Sequence, residues 1–106
     1  MDISFYSGDS RNFIINVVDE NNNPINLTGA TIEWALISTG LVLLKKSIGK
    51  GITLSKPTEG QFIINVTSSD TDTLVGNYNH LARVTTTDEE SSIVISGTIV
   101  VEKSVI

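Results

Sequence analysis

His80 is the residue best suited to chemistry, because it is the only histidine of a chain that has no cysteine. A catalytic triad needs a nucleophile and an orienting acid beside its histidine, and a zinc site usually needs further nitrogen or sulfur ligands. His80 lies in NYNHLARV, on the same side of a predicted strand as Tyr78, Ala82 and Val84. We interpret it as a structural or surface histidine. We predict a protein that is not an enzyme, with no catalytic residue, metal ligand or cofactor.

The carboxylates lie where carboxylates are normally solvated. A general acid at neutral pH needs a pKa that is raised by burial or by a like-charged neighbour. The acidic side chains instead fall in two predicted turns (Asp19 and Glu20; Asp88, Glu89 and Glu90) and in a predicted helical turn (Asp70 and Asp72). We interpret them as contributing to solubility and to turn geometry.

The segment DENNNP offers oxygen ligands at Asp19, Asn21 and Asn23, which are spaced like the opening of an EF-hand loop. Pro24 stands where that loop needs glycine, and Ala30 stands where it needs a bidentate glutamate. The segment is therefore predicted to be a polar turn. A weak adventitious cation site is the alternative.

The net charge of −5 has the wrong sign for a protein that gains affinity by displacing counterions from phosphates, so we predict no nucleic-acid partner. Lysines nevertheless cluster in one part of the chain, at Lys45, Lys46, Lys50 and Lys56. We interpret them as solvating a hairpin and protecting a strand edge. A local basic patch is the alternative.

The length of 106 residues predicts a single domain, residues 1–106. The first residues, MDISFYSGDSR, lack the apolar stretch of a signal peptide, and no run approaches the length of a membrane span. We therefore expect a soluble protein that is made in a cytoplasm and has no membrane partner.

Apolar residues alternate along most of the chain, which is typical of half-buried β-strands. The predicted inward faces belong to four segments: Phe13, Ile15 and Val17; Ile32, Trp34 and Leu36; Phe62, Ile64 and Val66; and Ile93, Ile95, Gly97, Ile99 and Val101. The last segment is predicted to pair with NYNHLARVTTT through the acidic turn TDEES. Trp34, the largest inward residue, is predicted to lie in the core.

Turn signals rich in glycine, asparagine and aspartate recur between these segments and divide the chain into about seven to eight strands. The segment SSDTDTL breaks the alternation. Ser69 and Asp72 resemble a capping box, which predicts one short helical turn near 68–74 that ends by Gly76. Antiparallel strands without crossover helices predict an all-β fold, an antiparallel sandwich of two sheets.

The order of several short motifs resembles a known family. Those motifs are Gly8-Asp9, Leu27-Thr28-Gly29, Gly60-x-Phe62, Gly76-x-Tyr78 and the late Ser96-Gly97-Thr98. In this order, over nearly the whole chain, they resemble the immunoglobulin-like domain of tailed-bacteriophage structural proteins, as in the N-terminal domain of phage baseplate upper proteins. The chain departs from that pattern at Asn21–Asn23, where an Asp-Gly turn is common.

The resemblance implies an immunoglobulin-like β-sandwich and a non-enzymatic virion structural or assembly protein: a head, neck, tail or baseplate accessory component, located in the virion. Its implied partners are other virion structural proteins, and it implies that a homo-oligomer such as a trimer or another ring can form. Strand edges bind partners readily. Our candidate partner-binding residues are Val100, Val101, Glu102, Lys103, Val105, Ile106, Lys45 and Lys46. The loops at 19–26 and 45–51 are further candidates.

A carbohydrate-binding or adhesion module is the alternative function, since small β-sandwiches often bind glycans. The aromatic residues are few and fall mostly on predicted inward faces. The sequence therefore offers little stacking surface for a sugar.

Overall fold

The segments in which apolar and polar residues alternate form strands, as the sequence predicts. The computed structural model describes residues 3–86 and 92–103, and of residues 92–94 it describes the backbone. Within these ranges the strands are β1 (Ile3–Tyr6), β2 (Arg11–Asn16), β3 (Thr31–Ser38), β4 (Leu41–Ile48), β5 (Gly51–Lys56), β6 (Gln61–Val66), β7 (Gly76–Thr85) and β8 (Ser92–Glu102). A 3₁₀ turn, Pro57–Glu59, precedes β6, and a short helix, α1 (Ser68–Thr71), follows it. The predicted all-β fold, its strand number and its helical turn are confirmed.

The eight strands form one sheet, in the order β1-β8-β7-β3-β4-β5-β6-β2, and the predicted sandwich of two sheets is wrong. The sheet curls strongly into a half-barrel. It is also mixed, because β1 pairs with β8 and β4 pairs with β5 in parallel, whereas the other neighbours are antiparallel. We call β1-β8-β7-β3-β4 the first arm and β5-β6-β2 the second arm.

A sharp turn of the chain between β4 and β5 joins the two arms into one sheet. Ser47 and Lys50 exchange backbone hydrogen bonds of 3.2 and 2.8 Å, and Gly49 N–H donates to the Ile52 carbonyl at 3.1 Å. These bonds align Ser47 with Gly51 and Ile48 with Ile52, the only β4–β5 pairs in the described residues. A separation into two sheets would require this short ladder to break.

The core lies inside the curl, and the prediction of inward faces is confirmed for the described side chains. The first arm contributes Trp34, Leu36 and Val84, and the second contributes Ile52, Phe62 and Ile64, all nearly inaccessible to solvent. Phe13 and Ile95 are partly buried and pack against this cluster. The side chain of Ile93 lies outside the described residues. Burial of these apolar side chains is the main force that holds the arms together.

The N-cap of the helical turn lies two residues before the predicted N-cap, Ser69. Thr67 is the N-cap: its hydroxyl accepts the Asp70 N–H at 3.3 Å, and the Asp70 carboxylate accepts the Thr67 N–H at 2.9 Å. The predicted capping box of Ser69 and Asp72 is therefore wrong. Gly76 does not end the turn, since it begins β7. The completed capping box satisfies backbone donors that so short a helix leaves free.

Candidate functional site

His80 lies in the core and serves the fold. It is 3 % exposed, and its Nδ1 accepts a hydrogen bond of 3.2 Å from the indole Nε1 of Trp34. Because Nδ1 accepts this hydrogen bond, a neutral His80 ring carries its hydrogen on Nε2. The rings also lie tilted against each other, with centroids 6.3 Å apart. Of the two interpretations of His80, structural and surface, the structural one is therefore correct.

Asp70 and Lys46 form an ion pair between α1 and β4. Lys46 Nζ lies 2.8 Å from Asp70 Oδ2, and both side chains are largely buried. Burial raises the pKa of Asp70, but hydrogen bonds from Lys46 and Thr67 and the charge of Lys46 outweigh it, so that its pKa lies below the usual value of 3.8. Lys46, a predicted partner-binding residue, is thus engaged within the chain and joins β4 to α1.

The asparagine-rich segment is a closed turn. One carboxylate oxygen of Asp19 accepts the N–H groups of Asn21 and Asn23, at 2.8 and 2.9 Å. Asn22 adopts left-handed backbone, with φ of 64°, and Pro24 forms an isolated bridge with Val18. The prediction of a polar turn is confirmed. The described part of the chain contains no group of three or more histidine, aspartate or glutamate side chains arranged to hold a metal ion.

Three of the C-terminal candidate residues lie inside the sheet and not at its edge. Val100, Val101 and Glu102 belong to β8, which has β7 on one side and β1 on the other. Sequence reasoning missed β1 as a parallel partner, because an early strand four residues long carries little signal of where it docks. Lys103 is exposed just beyond β8. Val105 and Ile106 lie outside the described residues, as do the acidic turn residues Asp88, Glu89 and Glu90.

An unpaired edge instead occurs in the middle of the strand order, along β4. β3 covers one side of β4, but on the other side β5 reaches only Ser47 and Ile48. The edge of Leu41–Lys46 therefore has no strand partner within residues 3–86 and 92–103. A bulge near Leu43 interrupts its register with β3. We call Leu41–Lys46 the β4 edge.

The β4 edge carries exposed apolar side chains. Leu41 is 66 % exposed, Val42 59 % and Leu43 47 %. Single exposed apolar residues are ordinary, whereas a contiguous group is typical of an interaction surface. Sequence reasoning identified only a lysine-bearing hairpin here. The available signal was the unbroken apolar run LVLL directly after the turn STG, which the alternation of an amphipathic strand does not explain.

A shallow hollow of about 240 Å³ lies on the outer face of the sheet beside this edge. Its apolar lining includes Ala35, Ile37, Val42 and Leu81, and its charged lining is Glu33, Lys45 and Arg83. The exposed side chains of Glu33 and Lys45 approach to 3.9 Å. With one acid and two bases, the rim of the hollow carries a net positive charge.

Aromatic side chains contribute little to the described surface. Phe5, Trp34 and Phe62 are buried, and Tyr78 is partly buried against the core. Tyr6 is 52 % exposed at the edge strand β1. Among the described aromatic side chains, Tyr6 is thus the exposed one.

No protein-family model and no curated protein matches the chain. Among the residues that the structure describes, no helix is long and apolar enough to cross a membrane.

Proposed function

We propose that the chain is a non-enzymatic, immunoglobulin-like structural protein of a tailed bacteriophage. In this proposal it is an accessory component of the head, neck, tail or baseplate, and it binds other virion proteins through the β4 edge. The family resemblance supplies the phage context. The exposed, unpaired β4 edge carries the binding role, because strand edges with apolar side chains are pairing surfaces.

The strand order supports the immunoglobulin-like part of the proposal. Such domains place strands B, E and D on one side of the core and G, F and C on the other, with C′ added beside C in variable-type domains. If β2 to β8 are taken in chain order as B, C, C′, D, E, F and G, the second arm is D-E-B and the first arm contains G-F-C-C′. The difference is the ladder between β4 and β5, which joins the arms into one sheet.

Tyr78 supports the same relationship. It lies near the start of β7, and its hydroxyl accepts the Val75 N–H and donates to the Val75 carbonyl, each at 3.0 Å. Immunoglobulin-like domains have a tyrosine near the start of strand F whose hydroxyl bonds to backbone a few residues upstream. Gly76-x-Tyr78, one of the motifs of the family resemblance, thus has a structural role: its tyrosine holds the backbone just before β7.

Other motif residues also serve the fold. The carboxylate of Asp9 accepts from Tyr6 N–H at 3.4 Å and lies 3.3 Å from Arg11, which stabilises the turn between β1 and β2. Leu27 is fully buried, and its N–H donates to the Pro57 carbonyl at 2.7 Å. Since these residues are occupied in folding, the binding role falls to residues outside the motifs.

Composition of purified phage particles tests the proposal. Particles of the phage that encodes the chain should be separated on a density gradient and analysed by quantitative mass spectrometry. We expect the chain in the particle fraction at a constant copy number. Recovery only in the fraction of free proteins would contradict the proposal.

A pair of matched variants tests the role of the β4 edge in the particle. Val42→Asp places a charge on the edge, and Ile14→Asp places the same charge at a residue of similar exposure on the edge strand β2. We expect Val42→Asp to lower the copies per particle and Ile14→Asp to leave them unchanged. The opposite pattern would assign binding to β2.

A further inference from the structure

The β4 edge has two properties that a bound strand would satisfy. Its outward backbone groups from Leu41 to Lys46 have no strand partner in the described part of the chain. Three successive apolar side chains, Leu41 to Leu43, are exposed beside them. An added strand would pair with the backbone and cover the apolar side chains together.

The charge around this edge restricts which strand can bind. Residues 41–51 contain Lys45, Lys46 and Lys50 and no acid, although the chain as a whole has a net charge of −5. Arg83 and Lys45 both line the hollow next to Val42. Lys46 is neutralised by Asp70 and Lys45 only weakly by Glu33, at 3.9 Å with both side chains exposed. The surface is thus apolar with a basic rim.

We propose that the β4 edge binds an extended segment of a partner protein that carries apolar and acidic side chains on the same face. This inference rests on the proposed assembly function and names the chemistry of its partner. The partner's backbone would extend the sheet beyond β4, its apolar side chains would pack beside Val42, and its carboxylates would lie near Lys45. Its apolar and acidic residues would stand two apart, because successive residues of a strand point to opposite faces and Val42 and Lys45 both line the hollow on the outer face.

A second copy of the chain fits the edge less well. Pairing of two β4 edges would bring together two lysine-rich strands, and like charges that face each other across strands are destabilising. The bulge near Leu43 would also occur on both strands, and bulges are among the features that keep sheet edges from pairing with copies of themselves. A partner strand that carries carboxylates brings no facing lysines, and it need not contain a bulge of its own.

The binding of synthetic peptides to the purified protein tests this inference. One probe is a peptide of about ten residues in which every second residue is threonine and the residues between are alternately valine and glutamate, long enough to cover the edge. Its twin carries lysine in place of each glutamate, and a third peptide replaces the four central residues of the acidic probe with proline. Binding is followed by amide chemical shifts of the isotope-labelled protein. We expect shifts at Leu41–Lys46 with the acidic peptide, binding of the lysine twin weaker by roughly tenfold or more, and no binding of the proline peptide, which lacks donors for the ladder.

Charge reversal on the protein gives the matched control. Lys45→Glu should weaken binding of the acidic peptide by roughly five- to tenfold and strengthen binding of the lysine twin. Lys56→Glu, a similarly exposed lysine on β5, should change neither. Equal binding of both peptides, shifts at another edge, or dimerisation through β4 without peptide would overturn the inference. Absence of the chain from phage particles would instead count against the proposed function and leave the peptide result standing.

Discussion

At the scale of single residues, the side chains with the most chemical capacity are committed to the fold. His80 accepts from Trp34 in the core, Asp70 caps α1 and pairs with Lys46, and Asp19 closes the asparagine turn. Buried polar groups require hydrogen-bond partners, and these groups have found theirs inside the chain. The β4 edge, by contrast, leaves strand backbone without a strand partner in the described residues and exposes apolar side chains.

Trp34 should be the largest single contributor to stability. It is 2 % exposed, and Trp34→Ala removes an indole from the core together with the hydrogen bond to His80. We expect a loss of about 3 to 5 kcal/mol in the free energy of unfolding, measured by urea denaturation. Tyr6→Ala, at an exposed aromatic residue, is the control and should cost well under half as much. Equal losses for the two variants would contradict the placement of Trp34.

The Asp70 ion pair should make stability depend on pH. Because the pKa of Asp70 is lower in the folded chain than its usual value of 3.8, its contribution is present above 3.8 and is lost as the pH falls through the lower folded value. Asp70→Asn should therefore cost about 1 kcal/mol at neutral pH, through the cap and the ion pair, and progressively less in acid. Denaturation of both proteins across this pH range measures the difference.

Asp72→Asn is the matched control, at an exposed aspartate directly after the same helix. Its difference from the wild type should be small at every pH. A deficit in Asp70→Asn that stays constant down to strongly acidic pH would show that the carboxylate charge of Asp70 is not what stabilises the turn.

The residue scale is also where sequence reasoning worked best. A strand alternates with a period of two, so Trp34, Phe62 and Ile64 could be assigned to the core without knowing the strand order. The cap was misplaced because Thr67 with Asp70 and Ser69 with Asp72 both fit the same pattern. Only the backbone, which begins the helix at Ser68, distinguishes them.

At the scale of elements, the decisive feature is the corner between β4 and β5. It joins the two arms into one sheet and leaves the β4 edge unpaired before Ser47. Neither consequence follows from the sequence, because a turn signal such as IGKG does not indicate whether the next strand stays in the same ladder. The same limit explains β8: its last residues were candidates for a partner-binding edge, but they pair with β1, which depends on contacts between the two ends of the chain.

Gly51 should be indispensable to this corner. Its φ is +100°, and a Cβ at this position would collide with Cδ of Lys46, whose side chain is held by Asp70. We expect Gly51→Ala to destabilise the fold by roughly 2 to 3 kcal/mol, through backbone strain and the collision. Thermal or urea denaturation measures the change.

Gly49→Ala is the control for backbone strain alone, since φ is +82° there and a Cβ would meet no atom within 4 Å. It should cost less than Gly51→Ala. The excess cost at Gly51 should shrink in a Lys46→Ala background, where the colliding side chain is absent. An unchanged excess would remove the collision from the explanation.

At the scale of the whole molecule, an acidic chain presents an apolar edge with a basic rim. The net charge of −5 disfavours non-specific association, while the local lysines at β4 favour an acidic partner. In the proposed assembly role, this region would be the contact with a neighbouring protein. The sequence analysis identified the lysines of this region as a possible basic patch. It did not predict the exposure of Leu41 to Leu43, which depends on where β5 leaves the ladder.

Amide hydrogen exchange along β4, compared between the free protein and phage particles that contain it, tests the central claim most directly. In the free protein the outward amides of the β4 edge should exchange quickly, because no strand covers them, while amides of β3 exchange slowly. In the particle we predict strong protection of Leu41–Lys46 and no change at β3. Equally fast exchange of the β4 edge in the free protein and in the particle would contradict the claim that this edge binds the partner.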